Sequence, residues 1–422
     1  MFYQKTVLTN GITVMSEKVA GFRSVTLGLW VGVGSRDETP EQGGISHFME
    51  HMLFKGTPTR TAEDLNIAFD QIGAENNAFT SKECTCFYAR FIDEHLERAF
   101  ELLGDMLVNS TFEQGCIDSE REVVIEEIAR SEDTPEDYVF DLATAAAWPD
   151  DALGRPILGT RPVVGAFDHD DCVAYHDARY TTGNLVVAAS GNVDHGQLVE
   201  LAERYLSGLP AGTRTVRPAV TCDSRRRFSV MKKETEQAHI VYTLPGLPLD
   251  DPERWAATLL DTVLGSGMSS RLFQEVREKR GLAYAVSSYS SSYQGTGIYS
   301  VYAGTRPANL EKVVDIIHRE LAKALEEGIT AEELARAKET VASQIVLRGE
   351  YTQTRMGALG RNEVLGCELL SIDDQERRVR AVSLDDVAKV APRLLNGTPT
   401  ISVISPFEPD DVEARLASVV GE

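Results

Sequence analysis

Long apolar runs and cysteines are scarce in this chain of 422 residues. The longest apolar stretches, such as residues 25–33, are far shorter than the roughly 20 residues of a membrane-spanning helix, so we expect no membrane contact. The N-terminus shows no long apolar segment of the kind found in a secretory signal. The six cysteines are scattered, which excludes a disulfide framework. These absences predict a cytoplasmic protein.

Positive charge is also sparse, with 42 Lys and Arg residues against 65 Asp and Glu residues and a net charge of −23. The longest basic run has three residues, 225–227. Because nucleic-acid binding requires a basic stripe, we expect no nucleic-acid partner. The acidic surface is most simply a solvated one. The alternative is an electrostatic field that attracts basic substrates.

The remaining composition, 42% hydrophobic and 25% charged, is typical of a folded globular protein. The Asn10-Gly11 pair between two β-rich runs predicts a hairpin. Apolar spacing predicts helices within 43–57 and over 91–110, a longer helix over about 116–148, and strands over 24–35 and 184–193. The length itself favours two domains.

The prolines, glycines and charges of residues 207–228 predict a boundary between these domains. We place the N-terminal domain at 1–212, a linker at 213–227 and the C-terminal domain at 228–422. The second half repeats the order of the first, with strands predicted over 239–246 and 282–291 and helices over 253–265 and 269–279. The expected fold is α+β, with two structurally similar α/β domains that each contain a mostly antiparallel sheet flanked by helices.

The motif that carries chemistry is His47-Phe48-Met49-Glu50-His51. On a helix, offsets of three and four residues bring His47, Glu50 and His51 to one face. Two neutral imidazoles suit Zn²⁺, and a neighbouring carboxylate can accept a proton from an attacking water. The inverted order H-x-x-E-H is a zinc-peptidase signature. The alternative is a pair of surface histidines, but the apolar neighbours argue against it.

A catalytic zinc ion needs a third protein ligand, for which residues 119–140 of the longer predicted helix offer candidates. Helical spacing places Glu122 and Glu126 on a solvated strip, whereas Glu120 and Glu127 share a face with apolar Val124. We therefore favour Glu127 as the third ligand. Glu120 lies two turns earlier, which suits a supporting residue rather than a ligand.

Four blocks of the sequence, together with the Glu127 spacing, resemble the pitrilysin family of zinc metallopeptidases. The resemblance is greatest to the branch that contains mitochondrial processing peptidase and its bacterial homologues, and it covers nearly the whole chain. The blocks are GGISHFMEHMLFKGT (43–57), ENNAFTSKECTCFYARF (75–91), EREVVIEEI (120–128) and SSRLFQEVREKRGLAYAV (269–286).

The resemblance implies a zinc endopeptidase that holds one Zn²⁺ per chain and hydrolyses extended peptides or unfolded polypeptides in a cleft enclosed by the two domains. His47, His51 and Glu127 would bind the metal, Glu50 would activate the water and Glu120 would support the site. Substrate backbone would pair with a strand that contains three consecutive binding residues, Asn77, Ala78 and Phe79.

The resemblance also implies catalytic roles for Arg277 and Tyr284, with Tyr284 donating to the oxyanion and Arg277 to a substrate carbonyl. By pattern alone, both residues would be structural. A homodimer is possible. The alternative to an enzyme is a catalytically silent homologue of the same fold, either structural or peptide-binding.

Overall fold

The structure is a computed structural model that describes residues 2–222 and 228–420. The end of the predicted linker, residues 223–227, lies outside the described residues and includes the basic run.

Strands and helices both occur along the whole chain, often in runs of one kind. In chain order the strands are β1 (Gln4–Val7), β2 (Thr13–Lys18), β3 (Ser24–Val31), β4 (Gly56–Thr57), β5 (Arg60–Thr61), β6 (Glu75–Thr80), β7 (Thr85–Ile92), β8 (Leu185–Gly191), β9 (Phe228–Lys232), β10 (Ala238–Pro245), β11 (Ala283–Tyr293), β12 (Thr296–Thr305) and β13 (Thr400–Ser405).

The helices are α1 (Ile45–Met52), α2 (Ala62–Gln71), α3 (Leu96–Asn109), α4 (Gln114–Asp133), α5 (Pro135–Ala147), α6 (Arg161–Val164), α7 (His169–Arg179), α8 (His195–Tyr205), α9 (Arg254–Leu264), α10 (Leu310–Glu327), α11 (Ala331–Arg348), α12 (Thr352–Leu365), α13 (Ile372–Ala381), α14 (Leu384–Leu395) and α15 (Pro409–Val420).

The chain divides into two compact units that are each discontinuous in sequence. The first comprises Met1–Ala129, Arg155–Arg217 and Leu347–Ser371, and the second comprises Arg130–Gly154, Pro218–Val346 and Ile372–Glu422. Each unit therefore includes one helical segment from the opposite half of the sequence. Helix α12 belongs to the first unit, and helix α5 belongs to the second.

The first unit is built on a sheet of order β1-β2-β8-β3-β7-β6. Neighbouring strands are antiparallel except β2 and β8, which run parallel. The predicted hairpin is confirmed, because β1 and β2 pair with Val7 opposite Thr13 around Asn10-Gly11. Gly11 adopts a φ of 99°, which favours glycine. Strand β6 is left at the edge of the sheet.

The second unit repeats this topology in a sheet of order β11-β12-β10-β13-β9. Strands β2, β3, β6, β7 and β8 correspond in sequence order and in sheet position to β9, β10, β11, β12 and β13. The one parallel pair of this sheet, β9 with β13, corresponds to β2 with β8. The match confirms two similar α/β domains with mostly antiparallel sheets and flanking helices.

Helix α12 packs closely on the face of β3 that carries Gly28 and Trp30. A Cβ atom on Gly28 would lie 2.5 Å from Met356 Sδ, and one on Gly360 would lie 2.1 Å from Trp30 Nε1. Across the same contact the Trp30 indole donates to Met356 Sδ at 3.2 Å. The opposite face of β3 contributes Leu27 and Leu29 to the main core.

The prediction of one helix over about 116–148 is wrong, because the structure has two helices that are separated at Thr134. The cause is Pro135, the first residue of α5. Proline lacks a backbone N–H, and its ring clashes with the carbonyl four residues earlier, so it starts a helix readily but interrupts one.

Within the described residues, no helix combines the length and the apolar character needed to cross a bilayer.

Candidate metal centre

Gly44, Glu38 and Ser46 together fix the start of helix α1. Gly44 precedes it with a φ of 98°, in the region that favours glycine. The buried carboxylate of Glu38 accepts hydrogen bonds from the backbone N–H groups of Gly44 at 2.9 Å and Ser46 at 2.8 Å. Burial raises the pKa of Glu38 to about 7, although these bonds oppose the rise. The Ser46 hydroxyl also lies 2.7 Å from Tyr175 OH.

The helix presents His47 and His51 side by side, with ring centroids 4.7 Å apart. The Nε2 atoms of His47 and His51 lie 3.7 Å and 3.6 Å from the same oxygen, Glu127 Oε2. One ligand atom from each of the three side chains lies within 4.8 Å of the others. The structure thus brings together two imidazoles and a carboxylate from two separate helices.

Helix α4 supplies Glu127 because of the face it turns to the core. Ile117, Val124 and Ile128 are buried on this face, and Glu127 is half-buried beside it, whereas Glu126 is exposed. Glu120 is buried on the same face. Its Oε2 atom lies 3.1 Å from His51 Nδ1, and its Oε1 atom lies 2.6 Å from Lys55 Nζ.

The protonation of this group suits a metal ion. Burial, with a smaller effect from His51, lowers the pKa of His47 to about 4, so its imidazole is neutral at physiological pH. Zinc binds neutral imidazole nitrogen and carboxylate oxygen, and a site with three protein ligands keeps a fourth position for water. The donor set of His47, His51 and Glu127 fits Zn²⁺ on these grounds.

Glu50 lies on the same helix, between the two histidines in sequence. Its Oε2 atom accepts a hydrogen bond from the Thr80 hydroxyl at 2.7 Å. Burial raises the pKa of Glu50, and the bond from Thr80 opposes this rise. A carboxylate with a raised pKa that is held in one orientation is suited to general-base chemistry.

Thr80 is the last residue of β6, and it connects the candidate metal group with the edge of the sheet. Along this strand Asn77 and Phe79 are exposed and Ala78 is buried. The Asn77 side-chain oxygen accepts a hydrogen bond from the Ala78 N–H at 2.8 Å. The Phe79 ring stacks edge-on against Trp30, with centroids 5.5 Å apart.

Arg277 and Tyr284 lie together in the second unit. The Arg277 guanidinium carbon lies 4.9 Å from the centre of the Tyr284 ring and 4.8 Å from that of Phe273. The helix predicted over 269–279 contains a π-helix, Phe273–Glu278, which carries Arg277. The register between β11 and β12 shifts between Ala283 and Ala285, which leaves Tyr284 in a bulge with 78% of its surface exposed.

Each residue of this pair therefore lies at a local irregularity of the backbone. π-Helices and bulges occur often at functional sites, where a bulge redirects a side chain. The Tyr284 ring is exposed and packs on a guanidinium group, so Tyr284 is not a core residue.

The sequence interpretation missed Glu38, Lys55 and Thr80. Lys55 lies four residues after His51. Extending the helical face of His47 and His51 by one turn would therefore have indicated it. Thr80 lies three residues after Asn77, within the same family block and at the end of the same strand. For Glu38 we find no sequence signal, because its contacts with Gly44 and Ser46 depend on the path of the loop before α1.

Comparisons with known proteins match both halves of the chain. Residues 13–161 match the family described as insulinase (peptidase family M16), and residues 166–341 match the family described as peptidase M16 inactive domain. An uncharacterized zinc protease of Streptomyces coelicolor is 42% identical over 99% of this chain and 92% of its own length. One of Bacillus subtilis is 39% identical over 94% of this chain and 97% of its own length.

Solved structures show the same fold. The crystal structure of a peptidase M16 inactive domain from Pseudomonas fluorescens matches with a TM-score of 0.90 at 20% identity, over 97% of this chain and 99% of that one. The crystal structure of a protease from Helicobacter pylori matches with a TM-score of 0.88 at 21% identity, over 96% of this chain and 99% of that one.

Proposed function

Because this chain belongs to the insulinase family of peptidases, peptidase family M16, we propose that it is a zinc-dependent endopeptidase that hydrolyses extended peptides. The observation that carries the proposal is the grouping of His47, His51 and Glu127 around a common point, with Glu50 on the helix of the two histidines. Relatives that are named zinc proteases, and that match this chain over nearly its full length, support the proposal.

We propose that His47, His51 and Glu127 bind one Zn²⁺ per chain and that Glu120 supports His51 from outside the ligand set. When bound in such a site, zinc lowers the pKa of a water molecule and polarises the scissile carbonyl group. The protein residues then have to hold the substrate, move the protons and orient the groups that do so.

Glu50 is the proposed general base and acid. Thr80 holds its Oε2 atom at 2.7 Å, which leaves Oε1 for the proton of the attacking water. The same carboxyl group then transfers this proton to the nitrogen of the leaving amine. No covalent bond between enzyme and substrate is required.

Substrate binding is proposed at the open edge of β6. An extended peptide could add to this edge by main-chain hydrogen bonds, with side-chain contacts giving selectivity. The Ala78 N–H already donates to the Asn77 side-chain oxygen. The Asn77 amide would therefore have to rotate, and after rotation this amide could bond to the substrate. The exposed ring of Phe79, 40% accessible, offers an apolar contact on the same edge.

We keep as proposals the roles that the family resemblance gives to Arg277 and Tyr284, namely hydrogen bonds to a substrate carbonyl and to the oxyanion. A homodimer, a cytoplasmic location and the domain limits of 1–212 and 228–422 with a linker at 213–227 also stay predictions.

Digestion of a mixed peptide library, with and without a metal chelator, tests the proposed function. We expect cleavage within the peptides that stops after chelation and returns when Zn²⁺ is added. A metal-loaded protein that cleaves no peptide would instead support the catalytically silent alternative. Mass spectrometry of the products would report the side-chain preference in the same experiment.

A further inference from the structure

We infer that Lys55 is a positioning residue for the metal site, acting through Glu120 on the imidazole of His51. The inference rests on the proposed function of that site, and it adds a residue outside the ligand set and outside the reacting groups. It follows from a chain of three contacting side chains in the first unit.

The two oxygens of Glu120 are engaged separately. Lys55 Nζ lies 2.6 Å from Oε1, and His51 Nδ1 lies 3.1 Å from Oε2. Lys55 lies three residues after the end of α1, and its backbone N–H donates to the Met52 carbonyl at 3.0 Å. The lysine and the histidine therefore hold the carboxylate through different oxygens, and a shift of the Glu120 side chain away from Lys55 would also disturb its contact with His51.

The contact with Glu120 favours the tautomer of His51 whose Nε2 atom can bind a metal ion. A carboxylate accepts hydrogen bonds, so Nδ1 carries the proton and Nε2 keeps its lone pair. This Nε2 atom is the one that lies 3.6 Å from Glu127. By contrast, His47 Nδ1 is buried and bonds to none of the described residues. Support from outside the ligand set thus reaches the metal group through His51.

Burial makes Lys55 important for Glu120. The Glu120 side chain is 8% exposed, whereas the Lys55 side chain is 32% exposed. A buried carboxylate without a cation or a full set of donors is costly, so loss of the lysine would leave Glu120 to seek other partners. Lys55 itself reaches water, so its replacement should not disturb the packed core.

Simple electrostatics predicts the opposite effect on metal binding. If Lys55 acted only as a positive charge near the site, its removal would strengthen the binding of a cation. If it positions Glu120 and thereby His51, its removal weakens zinc binding. The sign of the change therefore separates the two explanations.

The test is the Zn²⁺ dissociation constant of the full-length protein, measured by chelator competition at fixed pH. We expect Lys55→Met to weaken zinc binding by about tenfold, the lower end of the loss for a direct outer contact to a metal-bound histidine, because Lys55 acts through Glu120. Lys55→Arg should keep most of the affinity, since it retains a cation with donors. Lys5→Met is the matched control, because it removes a lysine paired with Glu363 at 2.8 Å and should change nothing.

Unchanged or tighter zinc binding by Lys55→Met would overturn the inference. If the unaltered protein binds no zinc, the proposed function fails instead. A double-mutant cycle covers the case in which Lys55→Met is less stable without metal. In a Glu120→Gln background, Lys55→Met should cause no further loss of affinity, and two independent losses would show that Lys55 does not act through Glu120.

Discussion

At the scale of single residues, helical periodicity predicted which candidate site residues share one face of a helix. The spacing of His47, Glu50 and His51 predicted a shared face, and the apolar neighbours of Glu127 distinguished it from Glu126. Periodicity did not predict contacts between different elements. The contact between Thr80 and Glu50, for example, depends on how β6 ends against α1. Metal binding and catalysis by these residues stay predictions until they are measured.

The hydroxyl of Tyr284 provides a prediction at this scale. Tyr284→Phe keeps the ring that packs on Arg277, so the fold and the zinc content should be unchanged. If the hydroxyl donates to the oxyanion, kcat/KM should fall by about 100-fold, mainly through kcat. Tyr351→Phe, at another exposed tyrosine, is the control. A Tyr284→Phe enzyme with unaltered kcat would exclude this role.

At the scale of elements, local signals predicted most strands and helices, and the errors have local causes. Pro135 divides the segment predicted as one helix into α4 and α5. Other features are not local at all. Nothing in the sequence of α5 or α12 indicates that each packs on the sheet of the other half, because the apolar face of a helix does not specify which sheet it covers.

The start of α1 gives a stability prediction. Gly44→Ala combines an unfavourable φ of 98° with a Cβ atom that would lie 2.6 Å from the Leu158 carbonyl oxygen. We expect it to lower the free energy of unfolding by about 3 kcal/mol or more. Gly73→Ala is the control, with a φ of 58° and open space around the new Cβ atom. It should cost only about 1 kcal/mol. Equal losses in urea unfolding would show that the loop before α1 can adapt.

An ion pair in the second unit gives a pH prediction. Arg271 donates to both oxygens of Glu333, at 2.8 Å and 2.7 Å. These bonds, against the effect of burial, lower the pKa of Glu333 from 4.5 to about 2. The stabilisation is therefore present above pH 4.5 and is lost as the pH falls toward 2.

Glu333→Gln should lower the free energy of unfolding by roughly 2 kcal/mol at neutral pH. The difference from the unaltered protein should shrink as the pH falls below 4.5. Glu332→Gln, at the exposed neighbouring position, should have little effect at any pH. A difference that stays constant down to pH 2 would show that the ion pair is not its cause.

At the scale of the whole molecule, length and repetition predicted two similar α/β domains, and the matching sheet orders bear this out. The exchange of helical segments between sequence halves could not be predicted, because it depends on tertiary packing. Composition is informative at this scale as well, through the net charge of −23.

This charge leads to a prediction about substrates. If part of it attracts basic peptides, raising the ionic strength should increase KM for Arg- and Lys-rich substrates and leave KM for neutral ones unchanged. The comparison requires peptides of equal length, assayed over a range of salt concentrations. An equal response for both classes would mean that the acidic residues serve only to solvate the surface.

The central claim is that a zinc ion and Glu50 together hydrolyse peptides, and a single variant tests it most directly. Zinc content and peptidase rate should be measured on Glu50→Gln, with Glu126→Gln as an exposed control on α4. The account predicts that Glu50→Gln keeps about one zinc ion per chain and loses turnover by several orders of magnitude, whereas the control keeps both. A Glu50→Gln protein that cleaves peptides at the unaltered rate would contradict it.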